Sequence, residues 1–285
     1  MTVVENLLAL LELEPLEVNI YRGTNRDLGT GRVFGGQVFA QALVAARRTV
    51  DEPREAHSVH GYFLRAGDLK APIVFFVDRP RDGGSFTSRR VTAIQHGEAI
   101  FHLSASFHVA EDGLDHQGLM PEMPMPDSLR PELDLLRERV DTLPESLRGV
   151  LTQDRPIDFR TIPPEHLATG PYPRRAAWFR TISPLPDDPI VHQAILAYAS
   201  DYGFLPTSLL AHGVSYYDPR LQIASLDHTL WMHRPFRADE WLLYVMDSPS
   251  AAGSRGFVHG SVYTQDGTLV ASVAQEGLIR LREKP

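Results

Sequence analysis

Cysteine is absent from the 285 residues. Disulfides, thiolate metal sites and a cysteine nucleophile are therefore excluded. No apolar run approaches the ~20 residues that a membrane span requires. A long Lys/Arg run is also missing, and the net charge is −8. A chain of that charge is poorly suited to nucleic acid or an anionic membrane surface, so neither is expected as a partner. An anionic ligand would need a local basic patch. The first residues, Met1–Asn6, are acidic and lack the basic start of a secretory signal, so a cytoplasmic protein is expected.

Several motifs are missing as well. The glycine-rich stretch 28–36 lacks the Lys-Ser/Thr ending of a phosphate-binding P-loop, and its glycines at 29, 31, 35 and 36 miss the dinucleotide spacing. A tight turn feeding a buried helix is the better reading. No Gly-x-Ser-x-Gly nucleophile elbow and no His-Glu-x-x-His occurs. The twelve histidines do not gather locally. Strand alternation sets His57 and His60 on opposite faces, and likewise His228 and His233. His102 and His108 share a face but sit roughly 20 Å apart along a strand. No metal and no cofactor is called for.

What remains is an ordinary globular composition, long enough for one large domain or two small ones with cores of their own. Residues 1–16 read as an amphipathic helix, followed by a short strand at 16–22. Residues 37–50 form a helix that is apolar nearly all round, hence buried. Strand-like runs follow at 56–65, 73–79, 86–95 and 99–109, with turns at Gly83-Gly84 and His96-Gly97. Residues 111–176 hold ten prolines, which rules out long regular structure across the whole stretch. A short helix at 131–140 suits a proline in its first turn.

The first pattern then returns. A strand at 177–182 leads to a helix at 190–202, then strands at 221–233, 241–247, 256–264 and 269–280. Tyr62-Phe63-Leu64-Arg65 lies opposite Trp231-Met232-His233-Arg234 at an offset of 169, and Gln95-His96-Gly97 opposite Gln265-Asp266-Gly267 at 170. Each half is thus a strand, a helix and four strands. A buried helix wrapped by an antiparallel sheet satisfies both elements, and two sheets joined edge to edge hide two edges. The expected fold is α+β in two like units, 1–110 and 177–285, joined by a proline-rich structured linker at 111–176.

Three polar residues of the second half stand out. Asp201 closes an otherwise apolar helix, where a carboxylate is solvated, a structural acceptor or a general base. Alternation puts Ser225, Asp227 and Thr229 on one face of a single strand. Gln275 has Ala105 as its counterpart at offset 170, so the halves differ in their tasks.

Longer segments carry a resemblance. Ala197-Tyr198-Ala199-Ser200-Asp201-Tyr202-Gly203-Phe204-Leu205-Pro206, Leu226–Phe236 and Tyr263–Gly277 resemble motifs of the type II acyl-CoA thioesterases, the TesB-like family. Phe34–Val38 and His57–Asp68 fit the same family, although Ala66 stands where Pro is common. The resemblance covers nearly the whole chain outside the linker. It implies a tandem (double) hotdog fold, a fatty acyl-CoA substrate of medium to long chain, and a catalytic trio at Asp201, Ser225 and Gln275. Ser replaces the Thr of some relatives and keeps the hydroxyl. The implied chemistry is attack by a water that Asp201 activates and Ser225 and Gln275 position. Two rivals remain: a hotdog enoyl-CoA hydratase, disfavoured because Pro206 stands where those enzymes carry His, and a non-catalytic acyl-CoA binder. Open sheet edges lead us to expect a homo-oligomer, a dimer or tetramer.

Overall fold

The first helix begins where the sequence caps it. Glu5 N–H donates to Thr2 Oγ1 at 3.1 Å and Thr2 N–H to Glu5 Oε2 at 2.7 Å, a capping box that opens α1 (Val3–Leu11). Leu7, Leu10 and Leu11 are buried along one side. The helix stops short of the expected residue 16, because Pro15 belongs to β1 (Glu14–Glu17), which turns into β2 (Ile20–Gly23). The computed structural model describes residues 1–29, 31–167 and 172–282; Thr30 of the glycine-rich turn, 168–171 of the proline-rich segment and 283–285 lie outside it. Among the described residues no helix is long and apolar enough to cross a membrane.

The glycine-rich turn feeds α2 (Gly35–Arg47), whose residues 36–46 are all buried. Its two glutamines are satisfied inside: Gln41 Nε2 donates to Leu10 O and Thr24 O, and Gln37 Nε2 to Asn25 Oδ1. Four strands wrap it, β3 (Glu55–Phe63), β4 (Ile73–Asp82), β5 (Phe86–Gln95) and β6 (Glu98–His108). Phe75, Phe101, Leu103 and Phe107 point from them into the core around α2.

The second half repeats this plan. After β7 (Ile157–Thr161) and β8 (Arg174–Thr181) comes α5 (Pro189–Ser200), with Asp188 Oδ1 accepting from Ile190 N–H at its start. Strands β9 (Leu221–Ser225), β10 (Asp227–Met232), β11 (Leu242–Ala252), β12 (Arg255–Thr264) and β13 (Leu269–Leu281) follow. Among the described residues the strands form one antiparallel sheet, ordered β1-β2-β4-β5-β6-β3-β10-β13-β12-β11-β8-β7 with β9 on β13. The order is a palindrome: β1 and β7, β2 and β8, and β3 and β10 hold matching places. At the seam between β3 and β10, His60 faces Thr229, its own counterpart at offset 169. A pseudo-twofold axis therefore passes between them.

The expected strand at 221–233 is broken. Ser225 pairs with Gly277 and Thr229 with Ala274, so Leu226 is one residue too many. The first half carries the same irregularity between Ala56 and Ser58, at His57. Each is a β-bulge, and a bulge reverses the side-chain alternation beyond it. Two expectations change for that reason. Ser225 does not share a face with Asp227 and Thr229; it turns to the inner side while they stay on the outer one. His57 and His60 both lie on the outer face, His57 against Ser106 and Phe86 and His60 against Trp231.

The proline-rich segment is built to lie on a surface. It holds α3 (Glu132–Glu138), begun by Pro131, and α4 (Glu145–Leu151), besides β7. Met120, Met123 and Leu129 pack on a second apolar cluster that includes Trp178, Trp241 and Leu243, and Trp178 Nε1 donates to Pro124 O at 2.8 Å. Prolines suit such a path because they have no backbone donor to leave unpaired.

The two buried helices touch where the glycines are. A Cβ on Gly36 would stand 2.4 Å from the backbone oxygen of Tyr198 in α5. Gly36→Ala must push the helices apart, a cost of about 1–3 kcal/mol. The melting temperature of the variant, followed by circular dichroism, is expected to fall by roughly 2–10 °C.

Candidate active site

Asp201 follows the last residue of α5 as its C-cap, and the chain reverses at Gly203 with φ +67°. Its side chain is only 8% exposed. Such burial demands partners, and two are present. Oδ2 accepts the Gly36 N–H at 2.9 Å, and Oδ1 accepts Gln275 Nε2 at 2.9 Å. The first bond comes from the opening turn of α2, whose own N-cap, Phe34, offers no side-chain acceptor. Asp201 thus caps the neighbouring helix. The positive end of that helix stabilises the carboxylate anion. Gly35 allows the approach, since a Cβ there would lie 2.8 Å from Oδ2.

Gln275 comes from β13, opposite Val258 of β12, and is fully buried. Its Nε2 is taken by Asp201, while Oε1 is buried without a protein partner. Ser225 ends β9 and lines a cavity of about 930 Å³ that Asp201 also lines. Among the described residues its hydroxyl has no protein hydrogen bond. The structure therefore brings Asp201 and Gln275 into direct contact, and Ser225 and Asp201 line the same cavity. Gln275 reaches that cavity only through Asp201.

The cavity runs between the head of α2, the ends of β3 and β6, and the α3–α4 region. Val33, Phe34, Val38, Phe63 and Phe101 make an apolar wall, which Leu147, Val150 and Leu151 extend from α4. Arg26, Arg32, Arg65, Arg155 and Arg175 also line it, against Glu132, Asp154 and Asp201, so basic side chains outnumber acidic ones here in a chain of charge −8. Glu132 of α3 ties the region together: it accepts the Tyr202 hydroxyl at 2.9 Å and pairs with Arg155. Desolvation pushes the Tyr198 phenol up to about 12, so it faces the cavity neutral.

Sequence reasoning missed two groups. The first is the Gly36 N–H; the signal was a Gly-Gly pair heading a buried helix that has no capping side chain. The second is His228, noted above only as lying on the face opposite His233. It is fully buried, edge-on to Phe39 and Phe204, with Nε2 2.8 Å from Ser200 Oγ. Its Nδ1 lies 4.0 Å from Asp201 Oδ1 and has no hydrogen-bond partner. Burial lowers its pKa to about 4, so the ring is neutral near pH 7. Among the described residues no three His, Asp or Glu side chains are placed to share a metal ion.

Known proteins resemble the chain over almost its whole length. The family model described as acyl-CoA thioesterase matches residues 152–278, and that of the acyl-CoA thioesterase N-terminal domain matches residues 24–108. Acyl-CoA thioesterase 2 of Haemophilus influenzae is 40% identical over 99% of both chains. The chain belongs to the acyl-CoA thioesterase family. Among solved structures, the acyl-CoA thioesterase II TesB2 of Mycobacterium marinum is 46% identical, with a TM-score of 0.83 over 96% of this chain and 98% of that one. A hotdog protein from Alicyclobacillus acidocaldarius, 19% identical, superposes with a TM-score of 0.77 over 96% and 98%. The tandem hotdog is thus the fold of this thioesterase-family chain, each unit a central helix wrapped by antiparallel sheet.

Two outcomes follow from the site's packing. Gly35→Ala would set a methyl against Asp201 Oδ2 and the Phe63 ring, displacing the carboxylate. The melting temperature of that variant, followed by circular dichroism, is expected to fall by roughly 2–10 °C. The second outcome concerns acid. His57, His60, His192, His228 and His233 all have lowered pKa values, desolvation being the largest cause in each. A lowered folded-state value means that the unfolded chain binds protons more readily, so stability is full above 6.5 and is lost as pH falls. For His228 the loss runs from about 6.5 down to about 4. Urea midpoints should therefore drop between pH 7 and pH 5, and His228→Asn should weaken that dependence.

Proposed function

We propose that the chain hydrolyses medium- to long-chain fatty acyl-CoA to free fatty acid and CoA, with Asp201 as general base. The observation that carries this reading is the Asp201 carboxylate, held between the Gly36 N–H and the Gln275 amide on the wall of the cavity. Both oxygens are oriented, and the side chain has little freedom left. A water between Asp201 and the Ser225 hydroxyl would lose its proton to the carboxylate as it attacks the thioester carbonyl. Collapse of the tetrahedral intermediate then expels CoA as a thiolate, a good leaving group that needs no strong general acid. Ser225 positions the water, and Gln275 holds Asp201 against it.

The cavity supports the substrate class. Its volume falls within the ~300–1,000 Å³ of small-molecule sites, and its wall is mostly apolar. The acyl chain would lie along the wall formed by α2, β3 and α4. The arginines would meet the phosphates of CoA, an attraction that the chain's overall charge does not supply.

Under this reading the chain divides into an N-terminal hotdog unit at 1–110, a middle segment at 111–176 and a C-terminal unit at 177–285 bearing the site. The middle segment also supplies β7 to the C-terminal half of the sheet. The first unit shapes the pocket without catalysing. We also propose that the protein works in the cytoplasm and as a homo-oligomer, since β1 and β7 leave sheet edges open.

The test is CoA release from palmitoyl-CoA, read with a thiol reagent. Asp201→Asn keeps the shape and an acceptor for Gly36 but removes the base. Its turnover is expected to fall by about 10²–10⁴-fold with acyl-CoA binding retained. Ser225→Thr should keep most activity, and Ser225→Ala should not. Near-normal turnover by Asp201→Asn overturns the reading, as does hydration of crotonyl-CoA, or binding of acyl-CoA without any CoA release, by the unaltered protein.

A further inference from the structure

The two units provide an internal comparison. In β3 and β6, Val59 faces Ala105. The same register, carried across the offsets of 169 and 170, sets His228 beside Gln275. Ser225 has Ala56 as its counterpart by the same count. Three inner polar side chains of the second unit thus stand where the first has Val59, Ala105 and Ala56, and the first unit packs its core with those three buried. The helix ends differ as well: the C-cap of α2 is the cationic Arg48, that of α5 the anionic Asp201. Two of the three substitutions involve groups already placed at the site. The third is His228.

Packing does not require an imidazole there, since Val59 serves at the matching position. A buried imidazole with an unpaired nitrogen is costly, by about 1–3 kcal/mol. His228 nevertheless holds a defined orientation. Nε2 is fixed by Ser200 Oγ at 2.8 Å, and the ring is clamped edge-on by Phe39 and Phe204. Its free Nδ1 is aimed at Asp201 Oδ1, the same oxygen that Gln275 holds.

We propose that His228 is a positioning residue for Asp201, presenting Nδ1–H to Oδ1 from one side while Gln275 donates from the other. The tautomer follows from the partners. A carboxylate oxygen only accepts, so the proton belongs on Nδ1. Ser200 then donates to Nε2 in place of its 3.1 Å bond to Ala197 O, which fixes that tautomer. At 4.0 Å the contact is electrostatic, and a shift of about 1 Å makes it a hydrogen bond. Such contacts tighten when substrate fills a site. The neutral ring adds a dipole without adding charge, so Asp201 is steered and its capacity to take a proton remains. This inference rests on the proposed role of Asp201.

Two variants separate the nitrogens. His228→Asn places an amide nitrogen where Nδ1 was and gives up the Ser200 contact. His228→Gln reaches Ser200 and leaves nothing at Nδ1. With palmitoyl-CoA, kcat of His228→Gln is expected to fall by about 10–100-fold with KM changed less than about 3-fold, while His228→Asn stays within about 5-fold of the unaltered protein. Equal kcat for His228→Gln and the unaltered protein overturns the proposal. So does a Gln variant more active than the Asn variant, which would make the Ser200 contact the one that matters. Loss of activity only in step with the unfolded fraction, read by circular dichroism, overturns it too. Should His228→Asn not fold, Ser200→Ala decides: it frees the tautomer and should lower kcat about 3–10-fold at unchanged KM, and full kcat overturns the proposal. If Asp201→Asn is itself fully active, the reading of Asp201 has failed. If Asp201→Asn is dead and His228→Gln is normal, only this inference has.

Discussion

The last turn of α5 lies against the first turn of α2, and the site depends on how closely they approach. Gly36 leaves room for the Tyr198 carbonyl, and Gly35 leaves room for the Asp201 carboxylate. Without that contact the exposed N–H of one helix and the carboxylate at the end of the other would both need other partners. With it, each satisfies the other. Two buried helices, each wrapped by its own half of the sheet, are thereby held in one relative position by a charge-assisted hydrogen bond. The helix dipoles add to it: the negative group stands at a positive terminus. A side chain from the second half of the sheet, Gln275, closes the arrangement from the third direction.

The sheet sets what can reach that point. Its seam lies on the pseudo-twofold axis at His60 and Thr229. Two equivalent places for a site therefore exist, one on each side of the axis. The bulges at His57 and Leu226 turn Ala56 and Ser225 inward in turn. One place received a methyl and the other a hydroxyl. The backbone is thus permissive at both, and side chains alone decide which is chemically furnished.

Much of this was legible in the sequence. Helices at 37–50 and 190–202, the hairpin strands and the repeat offsets all correspond to elements of the structure, because period and turn chemistry are local properties. The offsets of 169 and 170 reappear as the sheet register itself. The misses have physical reasons. A bulge does not alter hydropathy, so the break at Leu226 looked like an unbroken strand, and Ser225 was assigned to the wrong face. β7 lay hidden among prolines, since its pairing with β8 is a long-range choice. Asp201 and Gln275 could be singled out as odd residues on their elements. Their contact could not be read, because it spans 74 positions. Gly36 acts through its backbone, and no side-chain motif reports a backbone N–H.

The palindromic sheet has a consequence for how such a protein can change. In a pair of identical chains every residue occurs twice, so a substitution that suits one symmetric position is imposed on the other. Here the two halves are covalently one chain, and positions 105 and 275 are inherited separately. One pocket can therefore accumulate bulk, lose polarity or widen while its twin keeps its chemistry untouched. The covalent link turns a symmetry constraint into a spare degree of freedom, and the contrast of Ala56, Val59 and Ala105 with Ser225, His228 and Gln275 is where it shows.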